Sequence, residues 1–151
     1  MIIDVSEYAK SKKLPSFKKD EFNNILLRGG SRDTANAFAY TLVQSMKLSS
    51  EHYAVYAVSF DEPSTEEAVE YGKSKDYLKR IKTLNKTIKD VGEDKRKIIL
   101  FLFGLDYISP KWKKGYKEIS KLLESSQKGG CHVIAVSLFG IDPELEKFFK
   151  E

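Results

Sequence analysis

The residues with the clearest chemical arrangement lie at Gly29-Gly30-Ser31-Arg32-Asp33-Thr34-Ala35-Asn36. They follow the apolar run Ile25-Leu26-Leu27 and precede an amphipathic stretch. That is the layout of a phosphate-binding loop, in which glycines free the backbone amides and a helix N-terminus faces the anion. A working loop reads G-x-x-x-x-G-K-[ST]: the lysine neutralises the β/γ-phosphates and the hydroxyl holds Mg²⁺. Counting from Gly29 puts Thr34, Ala35 and Asn36 at the Gly, Lys and Ser/Thr positions; counting from Gly30 puts Ala35, Asn36 and Ala37 there. Neither register supplies the lysine or the second glycine. The reading is a degenerate loop of Gly29, Gly30, Ser31, Arg32 and Thr34, with no cofactor required and weak ATP/Mg binding left open.

The acid that orients Mg²⁺ in such ATPases belongs at the end of a later apolar strand. Here that run is Lys97-Ile98-Ile99-Leu100-Phe101-Leu102-Phe103-Gly104. Apolar residues hold the acidic positions, and Asp106 is the nearest carboxylate. No catalytic residues are assigned and ATPase activity is not expected. A Ser137, His132, Asp106 triad is rejected because Ser137 and His132 fall on opposite faces of one strand and no G-x-S-x-G elbow is present. Cys131, the single cysteine, reads as a small buried hydrophobe. One cysteine and two histidines, His52 and His132, exclude a disulfide framework and make no metal site.

Partner contacts have two sources in the sequence. Trp112 stands among Lys111, Lys113 and Lys114, and Phe139 sits in the turn after the last strand. With Asp106 they form the candidate partner-binding set. Phe139 is expected either to rim a groove or to fold inward and plug the vacant phosphate site. Lys73 to Lys97 holds ten basic residues against four acids. Lys75, Lys79, Lys82, Lys86 and Lys89 recur at helical spacing, so they could track a phosphate backbone or be a solvated helix face.

These groups need elements to hold them. Phe22–Arg28, Tyr53–Phe60, Lys97–Phe103 and Cys131–Leu138 are short, apolar on both faces and rich in β-branched and aromatic residues. Such runs fit parallel strands covered on both sides. Between them, Ala35, Phe38, Ala39, Leu42, Val43 and Met46 form one helical stripe. The stretch from the helix start Ser64-Thr65-Glu66-Glu67 to about Val91 carries Val69, Tyr77, Leu78, Ile81, Leu84 and Ile88 in one or two helices broken near Gly72, and Tyr116, Ile119, Leu122 and Leu123 define another helix. Asp142-Pro143-Glu144 opens a last short helix. The β-α alternation predicts an α/β fold of the RecA-like P-loop kind, with a mostly parallel sheet and helices on both faces. The chain of 151 residues is read as a single domain, with residues 1–20 as an N-terminal extension in which Ile2, Ile3 and Val5 are a candidate edge strand.

With 26 basic and 22 acidic residues the net charge is +4, too little to identify a nucleic-acid binder. No apolar run approaches the ~18 residues of a membrane span. The expected location is the cytoplasm, with membrane association only through a part outside this chain.

The stretch Gly129-Gly130-Cys131-His132-Val133-Ile134-Ala135-Val136-Ser137-Leu138-Phe139-Gly140-Ile141-Asp142 resembles the end of the FtsK/SpoIIIE class of P-loop translocases. The likeness rests on Gly130, His132, Val133, Ile134, Ala135 and Asp142. Ser137 replaces the family's Thr, Leu138 its γ-phosphate-sensing Gln, and Phe139-Gly140 its Arg-Pro. Degenerate modules of this kind occur at the C-terminus of type VII secretion coupling proteins. The resemblance implies a non-hydrolysing module that recognises secreted protein substrate or regulates neighbouring ATPase domains. A DNA-translocase relative, or a degenerate AAA+ or DnaA-type domain, implies nucleic-acid binding instead.

Overall fold

A computed structural model describes residues 1–7, 24–45, 53–60, 75–93, 97–127 and 131–150. Their elements are β1 (Ile2–Asp4), β2 (Asn24–Arg28), α1 (Arg32–Ser45), β3 (Tyr53–Ser59), α2 (Lys75–Glu93), β4 (Lys97–Phe103), α3 (Lys113–Gln127), β5 (Cys131–Ser137) and the short α4 (Pro143–Glu146). Single 3₁₀ turns follow β4, at Leu105–Tyr107, and α4, at Lys147–Phe149.

All five strands run parallel, in the order β1-β2-β5-β4-β3. The strand beside β2 is the last one, β5, which excludes the flavodoxin and dinucleotide-binding orders. The chain leaves β2, crosses over β5 and β4, and returns through β3 and β4 to β5. A right-handed crossover fixes the helix to one face for each direction of travel. The outward step therefore puts α1 on one face and the two return steps put α2 and α3 on the other, which is the observed packing.

Strands β2, β4 and β5 are buried on both faces because their residues alternate. Ile99, Phe101 and Phe103 face α1 with Ala35, Ala39 and Leu42. Ile98, Leu100 and Leu102 face α2 and α3 with Ile81, Leu84, Ile119 and Leu122. The expected core residues Leu26, Val58, Ile99, Phe101, Val133 and Ala135 are all buried. Asn85 ties α2 to α3 through bonds of 3.1 Å to the Glu118 carbonyl and to its carboxylate. Asn24 accepts from Ser126 at 3.2 Å and donates to the Phe148 carbonyl at 3.2 Å, joining β2 to both α3 and the C-terminal turn.

The expected edge strand near the N-terminus is β1, so part of the extension belongs to the sheet. Asp142 caps α4, accepting from the Glu144 amide at 3.0 Å. The expected break near Gly72 and the helical position Met46 lie outside the described residues.

Candidate functional site

Adjacent strands β2 and β5 send the chain to opposite faces, β2 into α1 and β5 toward α4. Their carboxyl ends therefore border the crevice where a parallel sheet takes its ligand. The Gly29 amide donates to the Ser137 carbonyl at 3.2 Å across this point. Gly29 and Gly30 both hold positive φ, 86° and 73°, which favours glycine. Only these two residues and Ser31 separate β2 from α1. The helix thus begins before a loop long enough to wrap a phosphate has formed. Its first turn is closed by its own residues: the Thr34 amide donates to Ser31 Oγ at 3.2 Å, and the two hydroxyls share a bond of 2.8 Å.

The helix phase decides between the two loop registers. Ala35 is fully buried against the sheet. The position that carries the lysine in the Gly29 register therefore points into the core. Asn36, the lysine position of the Gly30 register, is half-buried, and its Oδ1 is buried without a hydrogen-bond partner. Arg32 is half-buried and Thr34 exposed.

A carboxylate sits where an anion would approach. Asp4 Oδ1 lies 3.5 Å from where a Cβ on Gly29 would be, and Val5 lines Gly30. The Ser6 hydroxyl donates to Asp4 at 2.7 Å and the Ser6 amide at 3.0 Å. These bonds, the Glu7 amide and the charge of Arg28, its register partner, hold the Asp4 carboxyl below its usual range.

At the end of β4 the expected acids are absent and the space is aromatic. Phe101 and Phe103 stack at 5.6 Å, and Tyr40 of α1 lies 5.0 and 5.8 Å from them. Gly104 turns the chain at φ 77°, and Asp106 lies beyond it, half-buried on the 3₁₀ turn. Trp112 packs on the core, its ring lying over Gly115. Phe139 is 73% exposed, which overturns the inward plug and leaves the outward position. The Ser137 hydroxyl donates to the Phe139 carbonyl, closing the turn that presents this ring. The three candidate partner residues thus share one edge, but only Phe139 offers its whole side chain.

The remaining candidates are structural. Burial pushes the Cys131 thiol up to about 12, so it stays protonated and inert. Burial, with Lys97 nearby, lowers His132 to about 4. Among the described residues no cluster of His, Cys, Asp and Glu could hold a metal, and no helix is long and apolar enough to cross a membrane. Asp4 and Tyr40 are the site residues the sequence reading did not find. Asp4 is far from the loop along the chain, and Tyr40 falls off the apolar stripe of α1.

No protein-family model matches the chain, and no curated protein does. Among solved structures it is similar to C. elegans PCH-2, with a TM-score of 0.54 and 12% identity. The match covers 82% of this chain and 33% of PCH-2. The chain has the RecA-like P-loop fold. It spans about a third of the PCH-2 chain. The short β2–α1 loop, where the sequence reading puts the phosphate corner, and the Phe101–Phe103 stack, where it looks for the metal-orienting acid, both lie at the carboxyl edge of this sheet.

Proposed function

We propose that this domain is a P-loop-fold module that works by binding protein partners and does not turn over ATP. The observation that carries the reading is the pairing of a three-residue β2–α1 connection with phenylalanines at the end of β4. A lost phosphate–lysine contact alone removes a charge-assisted interaction of about 1.5–3 kcal/mol, and the fixed charge of Asp4 opposes an anion at the same corner. The finer reading is the C-terminal ATPase-like module of a type VII secretion coupling protein, acting on secreted substrate or on neighbouring ATPase domains. It is supported by the FtsK/SpoIIIE-like residues of β5 and by the outward ring of Phe139.

Calorimetry tests the nucleotide half of this reading: Mg-ATP should bind more weakly than about 1 mM, with no phosphate release. Micromolar affinity or steady turnover would overturn it. A second reading, nucleic-acid binding, is favoured by Lys79, Lys82, Lys86 and Lys89, which are exposed along one face of α2. The corresponding face at Lys75 lies outside the described side chains. That reading requires affinity that falls steeply with salt.

A further inference from the structure

Strand β3 ends the sheet, hydrogen-bonded to β4 on one side and to no other strand among the described residues. Natural edge strands are blunted by charges, proline or bulges. The sequence of β3, Tyr53-Ala54-Val55-Tyr56-Ala57-Val58-Ser59, carries neither charge nor proline. Val55 is 59% exposed. The two faces beside this edge differ. On the α1 side Val55 and Ala57 are exposed, and a strand's width away the half-exposed ring of Tyr40 covers Phe101, the register partner of Ala57. On the α2 side a groove of about 450 Å³ runs between β3 and α2, lined by Tyr56, Val58, Lys79, Thr83 and Thr87. The exposed Lys79 and Arg80 are the cations on its helix wall.

We propose that the edge of β3 takes up an extended acidic segment of a partner protein as a sixth strand. Backbone pairing supplies the affinity of such additions and alternate side chains the specificity. The period of two then dictates the ligand: apolar residues lie on the Val55, Ala57 and Tyr40 shelf, and carboxylates alternate with them toward Lys79 and Arg80. Charge selects this occupant over a second copy of the chain. Antiparallel pairing of two β3 edges places both α2 helices side by side on one face and sets the Lys79 and Arg80 charges of each copy on the same side as those of the other. The proposal concerns a surface separate from the phosphate corner and stands whatever nucleotide does there.

The probe is a short, end-blocked, fluorescent peptide of alternating glutamate and valine. Its controls are a peptide with the same residues in two blocks and one with lysine replacing glutamate. Anisotropy should show binding of the alternating peptide alone, and hydrogen exchange should show new protection of amides within residues 53–59. Val55→Lys, and separately Lys79→Glu with Arg80→Glu, should each weaken binding about tenfold or more. All three positions are exposed, so folding is not at risk. Equal binding of the block peptide, or binding without protection of β3, overturns strand addition. Tighter capture of a single-stranded oligonucleotide by the same two cations overturns the acidic-peptide assignment, as does sedimentation showing a dimer that masks β3.

Discussion

His132 shows what burial does to a titratable side chain. It is 1% exposed, stacks near Tyr53 at 6.0 Å and has Lys97 close by. Its imidazole is therefore neutral in the fold down to about pH 4, whereas the unfolded chain binds a proton below about 6.5. The sign follows: stability is full above pH 6.5 and falls as the pH drops toward 4, by at most about 3 kcal/mol. Urea midpoints at neutral pH and at pH 5 should show this loss, and His132→Phe should flatten it. An unchanged pH dependence in that variant would place the proton elsewhere. Phe139 is the opposite case. Its ring is in solvent, so Phe139→Ala should change stability by no more than about 0.5 kcal/mol while weakening partner capture. A large drop in melting temperature would mean that the ring is packed.

At the scale of elements, the first turn of α3 is set by a contact between Trp112 and a glycine. A Cβ at Gly115 would lie 2.2 Å from the Trp112 ring. Alanine in place of helical glycine usually gains about 0.5–1 kcal/mol. Here Gly115→Ala should instead cost about 1–3 kcal/mol as overpacking and shift the emission of the single tryptophan to the red. In β4, Phe101 is 2% exposed between Phe103 and Tyr40. Phe101→Ala should lose about 3–5 kcal/mol, measured by denaturant midpoint. The first turn of α1 gives a third test. Ala35 is fully buried, so Ala35→Lys should destabilise the fold by driving a charge into the sheet and should not create ATP binding. A stable variant with new affinity for Mg-ATP would contradict the helix phase seen here.

Across the whole molecule, much was legible in the chain. Strands β4 and β5 are apolar on both faces, and a run of that kind is satisfied only between two helical layers. Lys97–Phe103 therefore has the boundaries the sequence predicts, and β5 differs by one residue. The missing lysine after Gly29 and the missing acid after Phe103 are local facts of residue type, readable without coordinates. The Asp142 cap and the amphipathic stripe of α1 are local as well, because capping and 3.6-residue periodicity involve neighbours in sequence.

What the tertiary structure decided is everything that joins distant residues. Strand order brings β1 beside β2, and only then does Asp4 stand next to Gly29 and offset Arg28. The two loop registers are equivalent on paper until the length of the β2–α1 connection sets the helix phase and buries Ala35. Phe139 has the same sequence neighbours whether it plugs the crevice or leaves it; the turn closed by Ser137 turns it out. The exposed edge of β3 follows from the same cause. Its sequence reads as an interior strand, and it ends the sheet because the chain steps outward over β5 and β4 before returning. Side-chain chemistry and local periodicity are properties of the sequence, whereas adjacency across a sheet is fixed by the direction of each crossover, which no single segment carries.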